Sequence, residues 1–236
     1  MGIEVKLEKF ASAALMMAPL SAGLLEVAGG GISIGLFNAL ARGFPIRIVC
    51  DRFTNFPGNS NDVILVRSDL KDEIKRPRDL KGRKVAINAT GSPLTYMLGK
   101  ILESDGLTLK DGEVVYIPFP EQAVAFERKA IDAATNVEPF ATFAQGKGVA
   151  SIWLRSGEVI RPYFQVATIF YAKDWAEKNP RLARDFMVAY LKGAREYYDA
   201  MRGGRMRPYV VEVATKYTPV KDKAIYDKLQ WGYMDP

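Results

Sequence analysis

RKVAINATGSPLTYMLGKIL, residues 83–102, carries the decisive reading. Residues 83–88 form a short apolar run of strand type. Ala89, Thr90, Gly91 and Ser92 follow as a loop of small residues. Pro93 then suits the first position of a helix over 93–105. The same order recurs on both sides. A strand at 25–28 runs into Gly29-Gly30-Gly31 and a helix at 32–42. A strand at 131–136 runs into Glu138-Pro139 and a helix at 139–146. Strands alternating with helices predict an α/β fold with mainly parallel sheets.

Working outward, Ile3, Val5 and Leu7 alternate with charged residues, which predicts a strand at 3–7, with a helix at 11–23. Strands are expected at 46–50 and 63–66, with a loop at 51–61. Beyond them come strands at 113–117, 149–154 and 164–171, and helices over 174–178, 180–201, 207–216 and 222–229. Two strand–helix groups predict two lobes, with crossings near 66–70 and 157–164. Residues 1–66 plus 165–236 make lobe 1, and 67–164 make lobe 2. The C-terminal helices are expected to return to lobe 1.

The chain has 236 residues, 48% of them hydrophobic and 25% charged, as in an ordinary globular protein. No apolar run reaches the ~18 residues of a membrane span. There is no histidine and one cysteine, Cys50. Histidine-based acid–base catalysis, Ser-His-Asp and Cys-His arrangements and most zinc sites are thereby excluded. Cys50 reads as a buried thiol. Carboxylates are scattered, without the spacing of an acid–base pair or a metal cage, so neither metal nor cofactor is expected. The 33 Lys and Arg exceed the 27 Asp and Glu, a net charge of +6, which favours anionic ligands. Arg202, Arg205 and Arg207 read as a solvated helix end. Without interleaved aromatics they do not suggest nucleic acid. MGIEVKLEKF shows no signal-peptide pattern.

In α/β sheets ligands sit at the carboxyl ends of strands, where helix N-termini offer free N–H groups. The three small-residue loops are therefore the candidate ligand loops. Ser33 and Ser92 either cap their helices or present hydroxyls to a ligand, and the residues alone leave both open. Glu138 is either a first-turn acid or the partner of a ligand amine or an arginine. Neither Gly29–Gly31 nor the later loops match a nucleotide-binding motif.

The segments 21–49, 76–102 and 123–144 (SAGLLEVAGGGISIGLFNALARGFPIRIV, RPRDLKGRKVAINATGSPLTYMLGKIL and AVAFERKAIDAATNVEPFATFA) resemble the substrate-binding proteins of ABC importers. The likeness is to those for nitrate, sulfonate, taurine and thiamine-pyrimidine precursors, and it covers nearly the whole chain. It implies a two-lobe, type II periplasmic-binding-protein fold of the Venus-flytrap kind. It also implies a small-molecule ligand, an ABC permease as partner, a periplasmic or extracytoplasmic location, and no enzymatic activity. The implied ligand residues are Gly30, Gly31 and Ser33 in the first lobe and Thr90, Gly91, Ser92, Thr95, Asn136 and Glu138 in the second. Phe164 and Gln165 follow on the hinge side.

The departures are Glu26, where the family pattern has Asp, and Ala28, where it has Gly. Against the family the chain reads as shortened at both ends, without a central strand of the first sheet. That implies self-association through the incomplete sheet. The resembling fungal pyrimidine synthase uses a histidine and a cysteine-rich motif that this sequence lacks. A cytosolic ligand sensor, or a non-transport fragment of the same fold, is the other reading.

Overall fold

The computed structural model describes residues 2–235. Its regular elements begin with α1 (Met17–Ser21), β1 (Val27–Gly31), α2 (Ile34–Ala41), β2 (Ile46–Asn55), β3 (Asp62–Arg67) and β4 (Lys84–Ile87). They continue with α3 (Pro93–Glu103), β5 (Glu113–Tyr116), α4 (Phe119–Glu127), β6 (Ala133–Val137), α5 (Phe140–Gly146), β7 (Ala150–Arg155) and α6 (Ser156–Val159). β8 (Phe164–Ala172), α7 (Lys173–Lys178), α8 (Pro180–Met201), α9 (Arg207–Tyr217) and α10 (Lys223–Lys228) complete the chain. Among the described residues no helix is long and apolar enough to cross a membrane.

The chain forms two compact units. One holds residues 1–54, 165–210 and 234–236, the other 55–164 and 211–233. This division differs from the expected one in two places. β3 falls in the second unit, because both its edges are paired there, with β6 and with β7. Residues 211–233 fall there too. A Cβ on Gly146 of α5 would stand 3.6 Å from Ile225 Cδ1 of α10, and Gln230 Nε2 donates to Gly58 O at 2.7 Å.

The second unit is built on a five-stranded sheet of order β5-β4-β6-β3-β7. β4 lies parallel to β5 and β6, while β3 is antiparallel to both neighbours. Four strands therefore share one direction and β3 alone opposes them. Such a strand brings its N-terminus to the edge where the others end: Asp62, the first residue of β3, is paired with Val137, the last of β6. The sheet is covered on both faces, which explains the continuous apolar run in β3. Leu94, Met97, Leu98, Ile101 and Leu102 recur at helical spacing along α3. They pack with Ile64, Val66, Val85, Ile87 and Ala133. On the other face, Val63, Leu65, Ala86 and Ala134 meet Phe126 of α4 and Ala141 and Ala144 of α5.

The first unit has a three-stranded sheet of order β1-β8-β2, with β1 antiparallel to β8. Leu20, Leu36 and Ala39 pack on one face with Ala28, Ile46 and Phe170. On the other face Phe186, Met187 and Tyr190 of α8 pack with Val27, Ile169 and Tyr171.

Four local expectations are corrected. Residues 2–10 form no strand, and Val5 and Leu7 are exposed. Alternation alone does not make a strand where no neighbour takes its hydrogen bonds. The helix expected at 11–23 is a 3-10 turn at Ala13–Met16 followed by α1. β2 runs on to Asn55, five residues past its expected end. The glycine triplet lies inside β1 rather than after it, paired with 167–169 of β8. Gly30 is glycine for packing: a Cβ there would stand 2.7 Å from Met16 Cε and 2.8 Å from Ala13 Cβ. The centre of this sheet is held by β8, which pairs with both neighbours. Self-association through a missing central strand loses its premise.

Candidate functional site

The loop between β4 and α3 is the best-formed candidate. Gly91 has φ +67, a conformation glycine adopts without the strain a side chain brings. It turns the chain so that Ser92 takes the N-cap position of α3. Ser92 is 8% exposed, yet its hydroxyl accepts no N–H of the helix. The oxygen instead lies 3.4 Å from Thr95 Oγ1, and Thr95 Oγ1 is 3.4 Å from Ala89 O. Two hydroxyls thus stand at the first turn of an eleven-residue helix without satisfying its N–H groups. Asn88 Oδ1, in the same loop, is buried and has no partner among the described residues. Thr90 is exposed, and Tyr96 packs on Phe164 with ring centroids 5.8 Å apart.

The two candidates on the β6 end are turned inward. Asn136 donates to Gln122 Oε1 at 2.7 Å and accepts from Val137 N at 2.6 Å, so its amide joins β6 to α4. Glu138 accepts from Thr142 N at 3.0 Å, capping α5, and lies 3.5 Å from Arg155 Nη2. Its side chain is 3% exposed. Burial pushes its carboxyl above the usual range, opposed by Thr142 and Arg155. Of the readings left open for Glu138, the structure gives it an arginine partner, Arg155, while the carboxylate reaches α5 from the residue before its N-cap rather than from its first turn.

Sequence reasoning missed the group beside them. Asn55 donates through Nδ2 to Asp62 Oδ2 and to Ser156 Oγ at 2.7 Å, and its Oδ1 accepts from Asn61 N at 3.2 Å. Asp62 is 1% exposed, and its Oδ1 has no partner among the described residues. Burial raises its carboxyl to about 7, against the lowering effect of Asn55. A lone aspartate opening the apolar run 62–66 was the available signal, lying between the loop expected at 51–61 and the strand expected at 63–66.

In the first unit Ser33 resolves toward capping. Its oxygen accepts from Leu36 N at 3.2 Å at the start of α2, and the residue is 3% exposed. Gly30 is buried under Met16, and Gly31 ends β1 beside it, paired with Ala167. Gln165 is exposed. It donates to Asp51 Oδ1, and to Ala167 O at 3.2 Å. Cys50 is partly buried. Its thiol is pushed up by burial and then by Asp51, away from the thiolate a nucleophile needs. A cavity of about 320 Å³ is lined by Gly2, Ile3, Val5, Phe186, Ala189 and Tyr190.

A family model described as NMT1/THI5 like matches residues 1–200. A comparison with curated proteins finds no match. Among solved structures, the chain is similar to the alkanesulfonate-binding protein SsuA from Xanthomonas axonopodis pv. citri bound to MOPS. The TM-score is 0.71 and the identity 21%, over 93% of this chain and 70% of that one. It is also similar to the ligand-binding component of an ABC-type import system from Staphylococcus aureus. There the TM-score is 0.78 and the identity 14%, over 99% of this chain and 75% of that one. A desulfurization enzyme, DSZB, shares the fold at TM-score 0.61 and 16% identity, over 88% of this chain and 70% of that one. The α/β fold is that of the periplasmic binding proteins, as the sequence segments implied.

Proposed function

We propose that this chain, which belongs to the NMT1/THI5-like family, is the solute-binding receptor of an ABC importer and captures a small anionic ligand outside the cytoplasm. One observation carries the anionic reading: the N-terminus of α3, where Ser92 and Thr95 present hydroxyls that cap nothing, beside Gly91 at φ +67. Unpaired N–H groups and the partial positive charge of a helix start favour an anion there, and the hydroxyls add directed donors. The net charge of +6 acts in the same direction. Binding shifts the receptor toward a ligand-bound conformation that an ABC permease reads, and no bond is made or broken.

A thermal-shift screen tests this reading with methanesulfonate, MOPS, nitrate, benzoate and uncharged pyrimidines. A ligand at about 100 times its Kd stabilises the native state by about 2.7 kcal/mol. In a chain of this size that raises Tm by roughly 5–10 °C. A shift with uncharged solutes and none with any anion would remove the anionic reading. The likeness to a desulfurization enzyme raises a catalytic alternative. The raised thiol of Cys50 weighs against it, and release of sulfur from an organosulfur compound by the purified chain would establish it.

A further inference from the structure

Arg52, on β2, is a guanidinium without a counter-ion among the described residues. Among the described residues no carboxylate stands within ion-pair distance of it, and none of its N–H donors has an acceptor. The titratable groups that face it are the phenols of Tyr190 and Tyr197 on α8. Tyr190 supplies no negative charge at neutral pH, since burial pushes it up to about 12. The Tyr190 hydroxyl is also committed elsewhere, donating to Asp51 O at 2.9 Å. The Arg52 guanidinium carbon lies 5.2 Å from the centroid of the Phe53 ring, which in turn meets the Tyr197 ring edge-on at 6.1 Å. The arm is thus walled by aromatics and partly buried.

Its direction is set by the far edge of the sheet. β1 and β2 are separated by β8, yet a Cβ built on Gly29 of β1 would stand 3.6 Å from Arg52 Cδ and 3.7 Å from Arg52 Nε. The same Cβ would be 3.0 Å from Ile169 Cδ1. Any side chain at position 29 would therefore crowd both Ile169 and the arginine. Glycine leaves the strand bare beneath the arm, and Gly29 is exposed. Partly buried cations in proteins are normally paired, because the lost hydration must be replaced. Five N–H donors in a planar fork match the oxygens of a carboxylate, nitrate or sulfonate.

We propose that Arg52 binds the charged head of a small oxoanion, with the guanidinium fork laid over Gly29. This deepens the receptor reading above and rests on it. It adds a charge-bearing contact within the first unit, at a residue outside the three loops. A fork-to-oxyanion contact is stronger than a neutral hydrogen bond, so its loss weakens binding by about 10- to 100-fold.

Calorimetric titration of the full chain with MOPS, methanesulfonate, nitrate and benzoate tests the proposal. The proteins compared are the parent, Arg52→Gln, Arg52→Lys and Arg184→Gln. The last removes the same charge from an arginine that is 76% exposed on α8. The expected result is a loss of about 10-fold or more for Arg52→Gln and a smaller loss for Arg52→Lys, which keeps the charge without the fork. Arg184→Gln should bind as the parent does. Equal anion affinity for the parent and Arg52→Gln overturns this proposal and leaves the receptor reading standing. A parent chain that binds uncharged solutes but none of the anions overturns both. Should Arg52→Gln fail to fold by circular dichroism, the Arg52 Nε–H resonance of the parent decides, assigned by its loss in Arg52→Lys. A shift of that resonance on titration with the bound anion supports the contact, and an unmoved resonance at saturation refutes it.

Discussion

Replacing Asp62 by Asn should remove a pH dependence of stability that the native carboxyl imposes. Asp62 is buried, with Oδ2 bonded to Asn55 and Oδ1 unpartnered among the described residues. Its carboxyl rises from 3.8 in the unfolded chain to about 7 in the folded one. A raised folded value means that the native state holds a proton which the unfolded chain releases first. The contribution of this group to stability is therefore fully present below about pH 4. It declines as pH rises and is gone once pH passes about 7. At 1.36 kcal/mol per pKa unit the full swing is about 4 kcal/mol.

The amide that Asp62→Asn introduces cannot ionise. Its oxygen can accept from Asn55 as the carboxylate does, and its NH₂ group would occupy the place of Oδ1. Leaving that group unpaired costs about 1–3 kcal/mol, but equally at every pH. The substitution shifts the level of the curve and flattens this group's slope. Urea unfolding of both proteins from pH 4 to 8.5 gives a difference curve from which other carboxyls, Glu138 among them, cancel. The native protein should lose several kcal/mol relative to Asp62→Asn across that range. A difference curve flat to within about 0.5 kcal/mol would refute the reasoning. It would mean that water or local rearrangement satisfies Oδ1.

Ser33→Ala and Ser92→Ala should separate. The first removes the cap of α2 and lowers stability by about 1 kcal/mol with little effect on ligand affinity, while the second weakens ligand binding by about fivefold and leaves Tm nearly unchanged. Paired melts and titrations check both. Gly30→Ala forces a methyl to within 3 Å of Met16 and Ala13 and should destabilise by about 1–3 kcal/mol in denaturant titration. Glu138→Gln leaves Arg155 without its carboxylate, although Arg155 Nη1 still donates to Ser60 O at 3.0 Å. A loss of about 1–3 kcal/mol is expected. A melting temperature equal to that of the parent would show that the pair contributes nothing net.

What the sequence determined by itself was whatever local patterning controls. The apolar run 84–87, Gly91 and Pro93 specify a strand, a left-handed turn and a helix start. The helical spacing of 94–102 then specifies which face is buried. These are near-neighbour effects of backbone conformation and side-chain period, and their order along the chain carried the α/β class and the likeness to binding proteins. Tertiary structure decided what depends on residues far apart. Residues 3–7 have the period of a strand, but no neighbouring edge pairs with them. β3 reads as one more strand in the row, yet lies antiparallel between β6 and β7, which carries Asp62 to the edge where the parallel strands end. Ser33 and Ser92 look alike in sequence. One oxygen caps its helix and the other does not, because the Ser92 hydroxyl lies toward Thr95. The Asp62 cluster joins residues 101 positions apart through Asn55 and Ser156. The path of Arg52 across β8 to Gly29 follows from strand order. Burial and pairing are properties of the whole fold, and they turn an ordinary aspartate into a raised carboxyl and an ordinary arginine into a cation without a counter-ion among the described residues.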